Sequence, residues 1–167
     1  LAGSDLAKTM RHFREEVGMT ICLTQMCTVG GACCRPEWVP APEEIRDACR
    51  ARDAICYPGS SSSFGTMDVD KFYCGTMVCV TVDGDVTPCS VIRKGFGNIR
   101  DQPFCEIVKE HRNELLFSGM RHPGPNSSIC TRCEQNAVCW GCRAMAYYET
   151  GDLLGPDPKC WRAATGR

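Results

Sequence analysis

The chain has 167 residues, 43% of them hydrophobic and 23% charged, enough for one domain or two small ones with a buried core. Its 19 Lys and Arg against 20 Asp and Glu leave a formal charge of -1, so no basic field argues for nucleic acid. No apolar run approaches the ~20 residues of a membrane-spanning helix, and the first residues lack the pattern of a secretory signal. These absences lead to the expectation of a soluble, unexported, cytoplasmic chain.

In chain order, Leu6, Ala7, Met10, Phe13 and Val17 recur at helical spacing, with Ser4 or Asp5 as cap and Gly18 as stop. Met19 to Leu23 is a short apolar run that suits a buried strand, followed by a break at Gly30-Gly31. Pro42-Glu43-Glu44 is a good helix opening, and Ile45, Ala48, Cys49 and Arg52 continue one face towards Ile55. Pro58-Gly59 and Ser60 to Ser63 make a polar connection, too poor in apolar residues to pack, and mark a domain boundary.

Beyond it, Met77 to Val82 and Val86 to Val91 are β-rich runs joined at Asp83-Gly84, residues that favour a tight hairpin turn. Pro103 opens a helix through Phe117, with Phe104, Ile107, Val108, His111, Leu115 and Leu116 as its expected inner face. From Gly119 onward Gly, Pro and Cys dominate, so metal ligation is expected to replace much of the missing core. The fold class is α/β (α+β).

Cysteine is the outlier in the composition: 15 residues, about one in eleven. A disulfide scaffold suits short, signalled, even-numbered chains and fits poorly here. Cys22, Cys27, Cys33, Cys34, Cys49, Cys56 and Cys105 stand in no metal-ligand spacing and read as small hydrophobes or tolerated thiols, at home in a reducing compartment. The remaining eight are organised. Cys74, Cys79 and Cys89 bracket the hairpin, Cys130, Cys133, Cys139 and Cys142 fall within thirteen residues, and Cys160 closes the set. A Cys-x-x-Cys pair turns two thiolates onto one centre, and eight ligands suffice for two four-thiolate sites, which either zinc or iron–sulfur clusters can occupy.

With its surroundings, this pattern resembles the SPASM domain, the auxiliary iron–sulfur module at the C-terminus of many radical S-adenosylmethionine (SAM) enzymes. The likeness covers about residues 72 to 161 and includes Asp83-Gly84-Asp85-Val86, Pro88-Cys89, Gly97-Asn98-Ile99, Gly141-Cys142-Arg143-Ala144, Thr150-Gly151-Asp152 and Asp157-Pro158. In one departure, Trp140 and Gly141 alone separate Cys139 from Cys142, where family members commonly have three residues.

The resemblance implies two [4Fe-4S] clusters with interleaved ligands: Cys74, Cys79, Cys89 and Cys142 for the first, and Cys130, Cys133, Cys139 and Cys160 for the second. It further implies a division into the closing part of a radical-SAM barrel at 1–57, a linker at 58–71, the auxiliary domain at 72–161 and a tail at 162–167. No three cysteines have the Cys-x-x-x-Cys-x-x-Cys spacing that binds the SAM-cleaving cluster. SAM and a third [4Fe-4S] cluster are therefore expected only in an intact parent protein, and this chain alone is expected to be inactive.

Such parents are oxidoreductases that mature peptides, proteins or tetrapyrroles, reduced by a ferredoxin or flavodoxin; the auxiliary clusters take an electron from the substrate radical or hold a substrate group. Nucleic acid and membrane are not expected partners. A stand-alone two-cluster electron-transfer module and a structural four-cysteine zinc module are the rival readings. No residue stands out as catalytic. His12, His111 and His122 are scattered, Trp140 reads as packing, Arg143 as an ion pair or a donor to a cluster or carboxylate, and Asp152 and Asp157 as turn residues. Gly30-Gly31 lacks the spacing of a phosphate loop.

Overall fold

The computed structural model describes residues 4–21, 23, 27–59, 74–121, 129–136 and 139–164. The linker beyond Gly59, His122, Cys22 and the end of the tail lie outside the described residues. Helix α1 (Ser4–Arg11) continues as a π-helical stretch, His12–Glu16, and the chain then turns at Gly18, whose φ of +75 ends the run as expected. Met10 is buried on the inner side, but Phe13 and Val17 are exposed, because the widened π turn rotates them off the α-helical face.

The strand expected at Met19 to Leu23 does not form among the described residues there. A buried strand needs hydrogen-bonded neighbours for its backbone, and none is supplied. Two 3-10 turns, Gly30–Cys34 and Pro36–Trp38, follow and lead to α2 (Pro42–Cys56). Glu44 reaches back to accept from the Ala41 amide at 2.8 Å, which satisfies a donor at the start of the helix. The buried face of α2 is Ile45, Cys49, Arg52, Asp53 and Cys56, and it packs against α1.

The hairpin is antiparallel, β1 (Cys79–Val80) with β2 (Val86–Thr87), in the register Cys79↔Thr87 and Val80↔Val86. Both strands are shorter than the sequence suggests. Pro88 has no amide to extend β2, and β2 instead turns its other edge to 96–98: the Val86 amide donates to Gly97 O and the Phe96 amide to Val86 O. Gly84 has φ +91, and a Cβ there would meet Asn98 Oδ1 at 2.6 Å. Only glycine fits the turn.

The single helix expected from Pro103 to Phe117 is two, α3 (Phe104–Glu110) and α4 (Arg112–Leu116), broken at His111. Ile107 and Leu115 are fully buried and pack with Val86, Val78, Phe96, Val108 and Leu116. Each buried side chain of this size contributes about 1.5–3 kcal/mol. Phe104 is 42% exposed, because it lies in the first turn where the chain has just entered the helix.

A short helix α5 (Ser118–Arg121) follows, then turns through 129–136, then α6 (Arg143–Thr150), which the sequence reading missed, and α7 (Trp161–Ala164). Gly151, at φ +77, ends α6. A second apolar cluster, Phe117, Met120 and Trp140, is joined by Leu153, Leu154, Cys74 and Cys130. Among the described residues the result is a mixed helical arrangement with one small antiparallel sheet, an α+β class. No helix among the described residues is long and apolar enough to cross a membrane.

Candidate metal centre

The eight spaced cysteines fall on different elements. Cys74 begins a turn, Cys79 lies on β1 and Cys89 sits two residues past β2; Cys130 and Cys133 share a turn, Cys139 and Cys142 flank Trp140-Gly141, and Cys160 precedes α7. All eight are partly buried. No disulfide joins the described cysteines, and among the described residues no three of His, Cys, Asp and Glu converge at single-ion spacing.

Seven of the eight interact electrostatically in two groups, Cys133 being the exception. Cys74 is pushed up to about 11 by burial, with Cys142 and Cys89 adding repulsion. Burial likewise raises Cys89, on which Cys142 and Cys79 also act. Cys139 is pushed up to about 11 by burial, and here the neighbouring charges are Cys160, Cys130 and Asp157. Cys142 therefore interacts with the hairpin cysteines and Cys139 with the C-terminal ones, although only two residues separate them.

Gly141 makes that divergence possible. Its φ is +63, and a Cβ would stand 2.6 Å from the Cβ of Asp157, so both the backbone and the packing require glycine. Asp157 sits between the groups: it accepts from the Cys142 amide at 2.7 Å through Oδ2 and from the Lys159 amide at 2.9 Å through Oδ1, while its own carbonyl accepts from the Cys160 amide at 3.0 Å. Burial raises its pKa, and the two amides oppose that rise. The expected turn role of Asp157 is present, and a tie between the two groups is added to it. Trp140 is 2% exposed, donates from Nε1 to Asn136 O, and belongs to the apolar cluster against which Cys74 of one group and Cys130 of the other pack.

Backbone amides converge on the sulfurs. The Gly141 amide donates to Cys139 Sγ at 3.4 Å and the Gln135 amide to Cys133 Sγ at 3.5 Å. Arg143 supplies its amide to Cys74, Val91 and Ile92 supply theirs to Cys89, and Met145 and Ala144, at the start of α6, supply theirs to Cys142. Cys142 is lowered to about 7, first by the side-chain hydrogen bond with Cys27 and then by these amides against the cost of burial.

An anionic, sulfide-rich group fits this donor set. Thiolates are soft ligands that iron–sulfur clusters select, and amide donors to sulfur are the second-shell contacts that tune them. Arg143 carries the sharper sign. Its side chain is 1% exposed; Nη1 donates to Leu153 O and Gly155 O, whereas Nε and Nη2 are buried with no acceptor among the described residues. Its charge acts on Cys74. Buried donors of this kind require a partner, and an anionic cluster at Cys74 would provide one.

The other singled-out residues are structural. His12 pairs with Glu16 on the surface, His111 packs beside Phe96, and Asp152 caps the Leu154 amide at 2.8 Å. Of the cysteines read as incidental, Cys33, Cys34 and Cys105 are exposed and Cys56 is buried. Cys49, on α2, is pushed up to about 12 chiefly by burial, with Cys139 near enough to add repulsion. Cys27 stands 3.6 Å from Cys142, sulfur to sulfur. Sequence reasoning missed this contact, since a separation of 115 residues carries no spacing signal.

Residues 72–143 match the SPASM family, an iron-sulfur cluster-binding domain. The chain is 44% identical over 87 residues to an AdoMet-dependent heme synthase of Methanosarcina barkeri, covering 52% of this chain and 24% of that protein. It is 35% identical over 91 residues to an Fe-coproporphyrin III synthase of the same organism, covering 50% and 22% respectively. To a PqqA peptide cyclase of Streptomyces rochei it is 33% identical over 90 residues, covering 51% and 24%. The matched region thus spans about a quarter of the length of these relatives. No solved structure matches significantly. Over residues 72–143 the chain is similar to the SPASM family of iron-sulfur cluster-binding domains.

Proposed function

We propose that this chain is the auxiliary iron–sulfur part of a radical-SAM/SPASM oxidoreductase that matures a tetrapyrrole or a peptide. The substrate classes are those in the printed names of its relatives, heme and coproporphyrin synthases and a peptide cyclase. In this reading Cys74, Cys79, Cys89 and Cys142 hold one [4Fe-4S] cluster and Cys130, Cys133, Cys139 and Cys160 a second. Residues 1–57 close a radical-SAM barrel, 58–71 link it to the auxiliary domain at 72–161, and SAM with its own cluster belongs to the remainder of the parent. A reducing cytoplasm suits so many thiols.

The observation that carries the ligand assignment is the turn at Gly141, with Cys142 acting on Cys74 and Cys89, and Cys160 and Cys130 acting on Cys139. When bound, the clusters supply one-electron transfer or an iron that engages substrate. The chain's residues set the conditions for either. Trp140, Phe117 and Met120 form the apolar wall that excludes water beside Cys74 and Cys130. Arg143 offers two N–H groups and a positive charge next to Cys74, which favours the more negative, reduced state of a cluster there. Asp157 fixes the backbone at Cys142 and Cys160 together.

Anaerobic reconstitution followed by iron and acid-labile sulfide analysis tests the reading. About eight of each per chain are expected from eight thiolate ligands. Stoichiometric zinc without sulfide would establish the structural zinc alternative instead.

A further inference from the structure

The thiol group around the hairpin has a fifth member. Cys27 lies ahead of the 3-10 turn Gly30–Cys34, and its sulfur is 3.6 Å from that of Cys142. Thr28 donates from Oγ1 to Glu149 Oε1 at 2.6 Å, so the segment is fastened to α6 at two points. Cys89 and Asp157 are also close enough to act on Cys27 electrostatically. The contact falls at the ligand where this chain departs from the usual spacing, since only Trp140 and Gly141 precede Cys142 after Cys139.

Two sulfurs on one tetrahedral metal, with bonds of ~2.3 Å, stand about 3.8 Å apart. Cys27 and Cys142 are at that separation, so one iron is within reach of either. Resting on the two-cluster reading above, we propose that Cys27 is an alternate iron ligand of the hairpin cluster and can take the corner that Cys142 otherwise holds. The exchange is balanced. Cys27 enters as thiolate and passes its proton along the S–H···S contact to Cys142, which leaves the iron as a thiol; no electron moves and no external base is needed. The segment before α2 thereby becomes a part of the cluster site, joining the two halves of the chain through iron.

The test uses the full chain as wild type, Cys27→Ala, Cys142→Ala and the double variant, each reconstituted anaerobically with ferrous iron and sulfide. An iron without a thiolate is lost on mild ferricyanide oxidation and leaves a three-iron cluster with its own paramagnetic signal. Wild type and both single variants should show no such signal, while the double variant should give about one spin per chain. A Cys142→Ala protein that matches the double variant overturns the proposal and leaves the two-cluster reading standing; Cys27 would then be only a hydrogen-bond donor to Cys142. Wild type with no iron and sulfide overturns that reading instead.

The four irons assigned to Cys130, Cys133, Cys139 and Cys160 report whether a variant has folded. Should Cys142→Ala hold no iron at all, the isosteric Cys142→Ser protein replaces it, with alkylation of Cys27 followed by mass spectrometry. Protection of Cys27 until iron is chelated supports the exchange, and equal labelling before and after chelation overturns it.

Discussion

Cys79 and Cys89 hang on a hairpin whose Val86 packs with Ile107 and Leu115 in an ordinary apolar core. Cys130, Cys133 and Cys160 instead sit in turns, and Cys130, like Cys74 of the first group, packs against the cluster of Phe117, Met120 and Trp140, with Leu153 and Leu154 at the margin. The first group is displayed by a scaffold that burial can stabilise without metal. The second is carried by turns held by a smaller apolar cluster and by side-chain hydrogen bonds, where the binding free energy of a metal would add directly to folding free energy. On the proposed two-cluster assignment, one site is placed by its fold and the other places its fold.

Iron removal should separate the two most strongly. Hydrogen exchange of chelated protein is expected to lose protection throughout 129–136 and 139–160, with slowing factors falling by orders of magnitude, while Val86 and Ile107 keep most of theirs. Equal loss in both regions would show that the hairpin core also depends on metal and would end the distinction.

Gly141→Ala addresses the junction between the groups. The left-handed backbone costs ~1 kcal/mol or more for a residue with a Cβ, and the approach of Asp157 at 2.6 Å adds steric strain. Relief would turn Cys139 or Cys142 away, so iron should fall from about eight to about four or fewer per chain. Full iron content in this variant would mean that the two cysteines do not need to diverge at Gly141.

How much of this was legible follows from the range of each signal. Asp83-Gly84 gave the hairpin and Pro42-Glu43-Glu44 gave α2, because turn and cap chemistry act over a few residues. The cysteine spacing identified the family region, since ligand chemistry is written into local spacing as well. Met19 to Leu23 misled, for an apolar run becomes a strand only beside another. Helix α6 was hidden in a stretch dominated by Gly and Cys, although Ala144, Met145 and Ala146 with Gly151 as stop were a usable pattern. The tie through Asp157, the empty donors of Arg143 and the approach of Cys27 depend on tertiary contact and had no local trace.

Arg143→Gln should distinguish the groups more gently. It removes a buried positive charge beside Cys74 while Asp157 and Gly141 stay in place. Loss of one charge-assisted hydrogen bond, ~1.5 kcal/mol, corresponds to a drop on the order of 60 mV in a one-electron potential. A redox titration followed by paramagnetic resonance should show this drop in the hairpin cluster, with the other cluster moving less. Equal shifts in both would place the guanidinium's influence between the groups and not on Cys74.

The smallest expected effect lies at the hairpin turn. Asn98 Nδ2 donates to Asp83 O and to Asp85 Oδ1, each at 3.0 Å, and its Oδ1 accepts from the Arg100 amide at 2.9 Å. The side chain also occupies the space against which Gly84 is packed. Asn98→Ala breaks these bonds at a partly solvated site, where water replaces some of what is lost, so the cost should be about 1–2 kcal/mol. That is enough to raise hydrogen exchange at the Val86 and Ile99 amides, which donate to Gly97 O and Gly84 O. It is too little to unfold a core anchored by Ile107 and Leu115, and iron should remain at about eight per chain. Loss of the hairpin cluster from this variant would show that the turn, and not the apolar core, fixes Cys79 and Cys89, and the first site would then depend on local hydrogen bonding as heavily as the second depends on metal.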